Sequence, residues 1–280
     1  MHQPSDPLNG IHISRLNAAL EQYSVHLNGT VSPRPHLTIH GFETVLSTNS
    51  VVWNLIDEGA CSNTVVIASQ QKTGKGQWGR RWQSSTGGLY LSVAIALDCP
   101  VDRGKQLSLV SAWGIASALR QHNIAVGIKW PNDLILQGRK LGGILIETRM
   151  HQERITWAVI GVGINWENPV PDMGITLTSC LDQPANSSIS SIEDLAAVVL
   201  HGIMASYHCW HGQGISDIVS SYQSLLTHLG QSIHIQGQQG HIVGVSPQGD
   251  LRISVTNSAT EISVEPGTIS LGYSSLSNHG

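Results

Sequence analysis

An α+β fold, with packed helices on a mixed or mostly antiparallel sheet and a small C-terminal β-barrel, is predicted by three features of the 280-residue chain. Between residues 125 and 166, strand-like segments follow one another with short connections and no helix between them, which calls for antiparallel pairing. Helical segments stand before and after that run and do not alternate with it. After Gly230 come short β-rich pieces separated by Gly, Asn and Pro, at the spacing of a barrel of about fifty residues.

In chain order, residues 1–36 read as a mixed, loosely packed extension in which Pro4, Pro7, Pro33 and Pro35 flank a short helix, SRLNAALEQY. LTIHGFETV alternates as a strand. STNSVVWNLIDEG has a Ser/Thr/Asn cap, an apolar face of Val51, Val52, Leu55 and Ile56, and Gly59 as a stop, and reads as a helix. TVVIASQ and GLYLSVAIAL are strands flanking a basic loop, and QLSLVSAWGIASALRQH is an amphipathic helix. AVGIKW, DLILQ, KLGGILIETR and RITWAVIGVGINW are the clustered strands. A long loop then leads to two helices, SIEDLAAVVLHGIMASYHCW and ISDIVSSYQSLLTHLG, the second ended by Gly230. QSIHIQ, GHIVGVS, DLRISV, TEISVEPG and TISLG are the strands of the small barrel. The domains expected are 1–36, 37–228, 229–273 and a frayed Ser-rich tail, 274–280.

Charged residues make up only 12% of the chain and the net charge is −4, so no global basic field exists to hold nucleic acid. Cys61, Cys99, Cys180 and Cys209 stand apart, without disulfide or zinc spacing. No signal peptide or membrane span is expected, which points to the cytoplasm. His208, Cys209 and His211 are the tightest metal-type group, but no carboxylate pattern accompanies them.

Against that background QQKTGKGQWGRRWQ, residues 70–83, stands out, with three glycines, four cations and no acid. Gly74 and Gly79 have P-loop spacing, yet Arg80 and Arg81 follow where Lys and Ser/Thr belong, and a strand follows where a helix should. GVGINW lacks the third glycine of a dinucleotide fingerprint. Trp78 and Trp82 among cations fit a nucleic-acid stacking platform that the rest of the chain does not support. Alone, the loop also fits a solvated turn. Four further segments put small or polar residues at strand ends: Ser47-Thr48-Asn49, Lys129 to Asp133, Arg139 to Glu147 and Gly161 to Asn165. Singly each has a plain structural explanation, such as a bulge at Gly142-Gly143 or a turn at Asn132.

Together, in this order, residues 38–272 resemble the bacterial biotin protein ligases, whose pattern is Gly-Arg-Gly-Arg-x-Gly-Arg with a following Trp, then Lys-Trp-Pro-Asn-Asp, Lys-Leu-x-Gly-Ile-Leu-x-Glu and Gly-x-Gly-Ile-Asn. The resemblance implies a class II synthetase-like catalytic fold and an SH3-like terminal barrel. It implies formation of biotinyl-AMP from biotin and ATP, with Mg²⁺ accompanying the ATP. Transfer to a lysine of the biotin carboxyl carrier protein of acetyl-CoA carboxylase follows.

By the same resemblance, Lys140, Lys75 and Arg80 are the catalytic cations. Ser47, Thr48, Asn49, Gln71, Gly74, Lys75, Lys140, Gly143 and Gly161 contact biotin. Lys75, Gln77, Arg80, Trp82, Asn132, Lys140 and Asn165 contact the nucleotide, and Asp133 supports them. Direct metal ligands are not identified. Lys75 and Gln77 depart from family arginines, which removes one bidentate fork and one charge. The segment before residue 37 is too short for the DNA-binding module of some members, so a monofunctional ligase without DNA partners is expected, as monomer or homodimer. A lipoate or octanoate ligase and a non-catalytic biotin sensor are the alternatives.

Overall fold

The computed structural model describes residues 11–27, 29–31, 35–181, 188–258 and 260–273. The predicted tail 274–280 and the first ten residues of the extension lie outside them. The elements are α1 (Ile13–Gln22), β1 (His26–Leu27), β2 (Thr30–Val31), β3 (Thr38–Val45), α2 (Thr48–Asp57), β4 (Thr64–Gln71), β5 (Leu89–Pro100) and α3 (Gly104–Gln121). Then come β6 (Gly127–Lys129), β7 (Asp133–Leu136), β8 (Arg139–His151), β9 (Arg154–Ile164), α4 (Ile192–Gln213) and α5 (Ser216–Gln223). β10 (Ser232–Ile235), β11 (Gln238–Val245), β12 (Leu251–Val255) and β13 (Glu261–Val264) complete the chain.

The large sheet has seven strands in the order β3-β4-β5-β9-β8-β7-β6. Only β3 and β4 pair in parallel, and α2 makes their crossover. The predicted mixed sheet is therefore present. Side chains of one parity on β4, β5 and β9, such as Val65, Val93 and Ile160, join the main core with α3 and α4. The other parity, with Val66, Ala94 and Val159, packs against Val52 and Ile56 of α2. This second face carries the cleft.

Two glycines bring α3 and α4 together. A Cβ at Gly114 would lie 2.3 Å from the Gly202 carbonyl and 2.4 Å from Ser206 Oγ. We expect Gly114→Leu to cost about 3 kcal/mol of stability, read as a lower urea midpoint, because a backbone carbonyl cannot step aside. A midpoint equal to that of the unaltered protein would refute this packing.

The N-terminal extension is not loose where it is described. Leu16 is fully buried, and Ile11, Ala19, Tyr23 and Val25 join the main core. The backbone N–H of His12 donates to Glu193 Oε1 at 2.9 Å. The second predicted C-terminal helix is shorter than expected. α5 stops at Gln223, and Leu225 to Thr227 instead bond to Ile128 of β6, where the Ile128 and Thr227 amides donate to Leu225 O and Ile128 O. Covering a sheet edge outweighs two more helical turns.

The C-terminal unit is a four-stranded antiparallel meander, β10-β11-β12-β13, consistent with an SH3-like domain. TISLG, predicted as its fifth strand, is not one. It runs along the mouth of the cleft instead. The turn before β12 docks on the larger unit: Trp130 Nε1 donates to Gly249 O at 3.0 Å, Gln106 Nε2 to Pro247 O at 2.9 Å, and Lys105 pairs with Asp250 at 3.1 Å.

Candidate active site

A cleft of ≈ 390 Å³ opens on the α2 face of the sheet. Strand alternation makes its floor. Ser92, Gly161, Gly163, Gly143 and Leu145 share this face, with Ser92 opposite Gly161, Gly161 opposite Leu145 and Gly143 opposite Gly163. Three of the five lack a side chain, which lets neighbouring side chains lie against the backbone. A Cβ at Gly161 would stand 2.2 Å from Asn49 Oδ1, and one at Gly163 would stand 2.4 Å from Trp82 Nε1.

One end of the cleft is polar and uncharged. Ser47, Thr48 and Asn49 start α2 and are buried, and the Ser47 side chain makes no cap bond. Gln71 Oε1 accepts from the Thr48 amide at 2.8 Å, and Gln71 Nε2 donates to Ser84 Oγ at 2.9 Å. Ser92 Oγ donates to Asn49 Oδ1 at 2.6 Å, while Asn49 Nδ2 donates to Glu147 Oε2 at 3.1 Å. The Asn49 amide is thereby fixed in orientation. Ser92 is fully buried and was not among the sequence candidates, since nothing in GLYLSVAIAL marks one serine as special.

The other end is cationic. A β-bulge makes this possible. Lys140 and Gly143 have opposite parity on β8, so a regular strand would send them to opposite faces. The register shifts there, with Leu134 opposite Gly142 but Ile135 opposite Lys140, and both residues line the cleft. The backbone of Lys140 is clamped on both sides. Its N–H donates to Met173 O at 2.9 Å, and its carbonyl accepts from Ile175 N at 3.0 Å and from Asn165 Nδ2 at 3.3 Å. Lys140 Nζ lies 2.6 Å from Asp133 Oδ1 and 5.3 Å from the Trp82 ring centre. Lys129 stands beside them, 3.8 Å from Asp133 Oδ2. Burial pulls the Lys129 ammonium below its usual pKa, against the attraction of Asp133.

Lys75, Gln77, Arg80 and Trp82 of the basic loop form the outer wall. Lys75 Nζ is 3.5 Å from Glu147 Oε1, so the loop meets an acid brought from β8. The Trp82 indole N–H is buried with no hydrogen-bond partner among the described residues. Asn132 lines the cleft and donates its amide to Ile144 O, which ties β7 to β8. Gly267 to Leu271 close the mouth from the C-terminal side.

The cleft therefore gathers Ser47, Thr48, Asn49, Gln71, Lys75, Gln77, Arg80, Trp82, Asn132, Lys140, Gly143 and Gly161 of the candidate residues. Two candidates fall outside it. Gly74, within the loop, does not line the cleft; a Cβ there would meet Ser84 Oγ at 2.4 Å and Trp82 O at 2.6 Å, so its lack of a side chain serves loop packing. Asn165 is buried behind β8, and its amide goes to the Lys140 carbonyl and to Asn168. It holds the lysine strand from behind. Lys129, Trp130, Gly163 and the 267–271 segment line the cleft without having been singled out as contact residues.

Among the described residues, no group of three His, Cys, Asp or Glu side chains can hold a metal ion. A Mg²⁺ ion carried on nucleotide phosphates with water needs no such group. Nor, among the described residues, is any helix long and apolar enough to cross a membrane.

Residues 41–165 match the model of the Biotin/lipoate A/B protein ligase family. The chain is 29% identical over 217 residues to the bifunctional ligase/repressor BirA of Bacillus subtilis (strain 168), covering 75% of this chain and 65% of that protein. It is 33% identical over 208 residues to the protein of the same name from Escherichia coli (strain K12), covering 71% and 63%. The chain thus spans less than two thirds of the length of these relatives. Among solved structures, a biotin protein ligase from Aquifex aeolicus in complex with biotin and ATP superposes with a TM-score of 0.66 at 23% identity, over 85% of this chain and 99% of that one. That likeness establishes the fold.

Proposed function

We propose that the chain is an ATP-dependent biotin protein ligase, a reading supported by the match of residues 41–165 to the biotin/lipoate A/B protein ligase family model. The observation that carries this reading is one cleft with a neutral polar end at Ser47–Asn49 and Gln71 and a cationic end at Lys140 and Lys129, with Lys75 and Arg80 on the outer wall. Biotin has a neutral ureido ring, suited to fixed amides and hydroxyls, and a carboxylate at the far end of its chain.

In the proposed first step a biotin carboxylate oxygen attacks the α-phosphorus of ATP. The bond to the β,γ-pyrophosphate breaks and biotinyl-AMP forms. Two anions must approach, and unit charges about 4 Å apart repel by about 4 kcal/mol at an effective dielectric of about 20. Lys140 lines the cleft and would offset that repulsion, with the cations of the basic loop adding to it. In the second step a carrier lysine amine attacks the acyl carbon and AMP leaves. No enzyme nucleophile is needed, since the mixed anhydride is already activated. Catalysis is positioning and electrostatics. The carrier fitting this chemistry is the biotin carboxyl carrier protein of acetyl-CoA carboxylase, and a cytoplasmic setting goes with it.

The test is pyrophosphate release from MgATP with biotin, lipoate or no acid, in the absence of carrier. Release with biotin alone is expected. Release with lipoate alone would move the protein to the lipoate branch, and measurable biotin binding without release would make it a sensor. A second expectation concerns Gln77, which lines the cleft where the family pattern has Arg. Gln77→Arg should keep activity and hold the adenylate at least as tightly, measured as the dissociation rate of biotinyl-AMP; a folded but inactive variant would show that this wall has no room for the charge.

A further inference from the structure

The residues after β13 do more than close the cleft mouth. Gly267 to Leu271 line it, and the Gly272 carbonyl is then held 3.0 Å from His228 Nε2. This anchor delivers Tyr273 to the far side of Asp133. The Tyr273 phenol donates to Asp133 Oδ2 at 2.8 Å. Its ring face carries the Lys129 ammonium, 3.6 Å from the centroid. Asp133 Oδ1 meanwhile takes Lys140 Nζ at 2.6 Å.

Asp133 therefore stands among three donors but has only two oxygens. A carboxylate flanked by two ammoniums is drawn to pair closely with both, which would spend both charges on the protein. Here a neutral donor occupies Oδ2, and Lys129 remains 3.8 Å from it, resting on the ring. The cluster of Lys129, Lys140 and Asp133 keeps a net positive charge facing the cleft. Burial and the Asp133 charge hold the phenol well above its usual pKa, so it remains a donor throughout the neutral range.

We infer that Tyr273 is a positioning residue for adenylation: by occupying one oxygen of Asp133 it fixes where the Lys140 ammonium stands and keeps Lys129 free to face the anions. The inference rests on the ligase reading. It extends the active site to a residue outside the motifs that resemble the ligases, and gives the C-terminal segment a part in the first half-reaction.

The experiment compares the full chain with Tyr273→Phe, which keeps the ring under Lys129 and removes the phenol donor. Biotin-dependent pyrophosphate release should lose about ten-fold in kcat, the scale of a lost hydrogen bond to a charged group, while the KM for biotin and the thermal midpoint hold. Asp133→Asn and the Asp133→Asn/Tyr273→Phe double variant close a cycle. If Tyr273 acts through Asp133, the double variant is no slower than Asp133→Asn alone. A Phe variant with unaltered kcat overturns the inference, as do losses that multiply in the double variant or that only follow a lower folded fraction. Absence of biotin-dependent release from the unaltered protein defeats the ligase reading itself, which separates the two failures.

Discussion

Lys140→Ala is expected to lower biotin-dependent pyrophosphate release by about 10²- to 10³-fold, the range seen when one preorganised stabiliser of developing charge is removed. The reason lies in how the lysine is held. Its backbone is bonded from both sides, to Met173, Ile175 and Asn165, and its ammonium is set by Asp133 at 2.6 Å. Little conformational freedom remains to be lost when the two anions arrive. Removing the side chain also leaves Asp133 facing the cleft with one oxygen unpaired, which adds repulsion to the loss of attraction. The side chain is only partly buried, with 23% of its surface exposed, so circular dichroism and the urea midpoint should change little. Single-turnover formation of biotinyl-AMP is the decisive measurement. Turnover within a few-fold of the unaltered enzyme would remove Lys140 from its proposed role and shift attention to Lys129.

Gly161→Ala should weaken biotin binding by about ten- to a hundred-fold, corresponding to about 1–3 kcal/mol for a misplaced buried polar group. The new Cβ would stand 2.2 Å from Asn49 Oδ1. Asn49 has nowhere easy to go, because Ser92 holds its oxygen and Glu147 its nitrogen. Either the amide is forced out of its orientation or α2 lifts from the sheet. ATP binding should be little affected, since the cationic end does not touch this position. Calorimetric titration with biotin and separately with ATP reads the difference. Equal losses for both ligands would mean that the sheet itself had deformed, and unaltered biotin affinity would place the ureido ring elsewhere.

Much of this site is legible along the chain because its residues sit in short motifs. Ser47-Thr48-Asn49 stand at a helix start, the glycines fall on strands that a cleft needs flat, and the cations sit on one loop. Of the candidate contact residues, all but Gly74 and Asn165 line the cleft. A motif shows that a residue type is wanted, not whether it stands on the cleft wall or behind it. Gly74 lets the loop fold on Ser84 and Trp82, and Asn165 braces the Lys140 backbone. Ser92 escaped notice because a serine on an apolar strand looks like any other until its neighbours are known. TISLG read as a strand from its β-branched composition, yet no partner edge takes it up.

The sequence alone determined the mixed α+β sheet, the order of its elements, the small C-terminal β unit and the chemical character of the cleft. These follow from local periodicity, turn residues and short motifs, which act within a few residues of the chain. Only the tertiary structure decided which side of β8 Lys140 faces, since one inserted residue reverses strand parity and the bulge is settled by pairing with β7. Only it decided that Asp133, Lys129 and Tyr273 stand as one cluster, because Tyr273 lies 140 residues from Asp133 along the chain. Contacts of that reach are set by docking the C-terminal meander on α3 and Trp130, which no local pattern encodes.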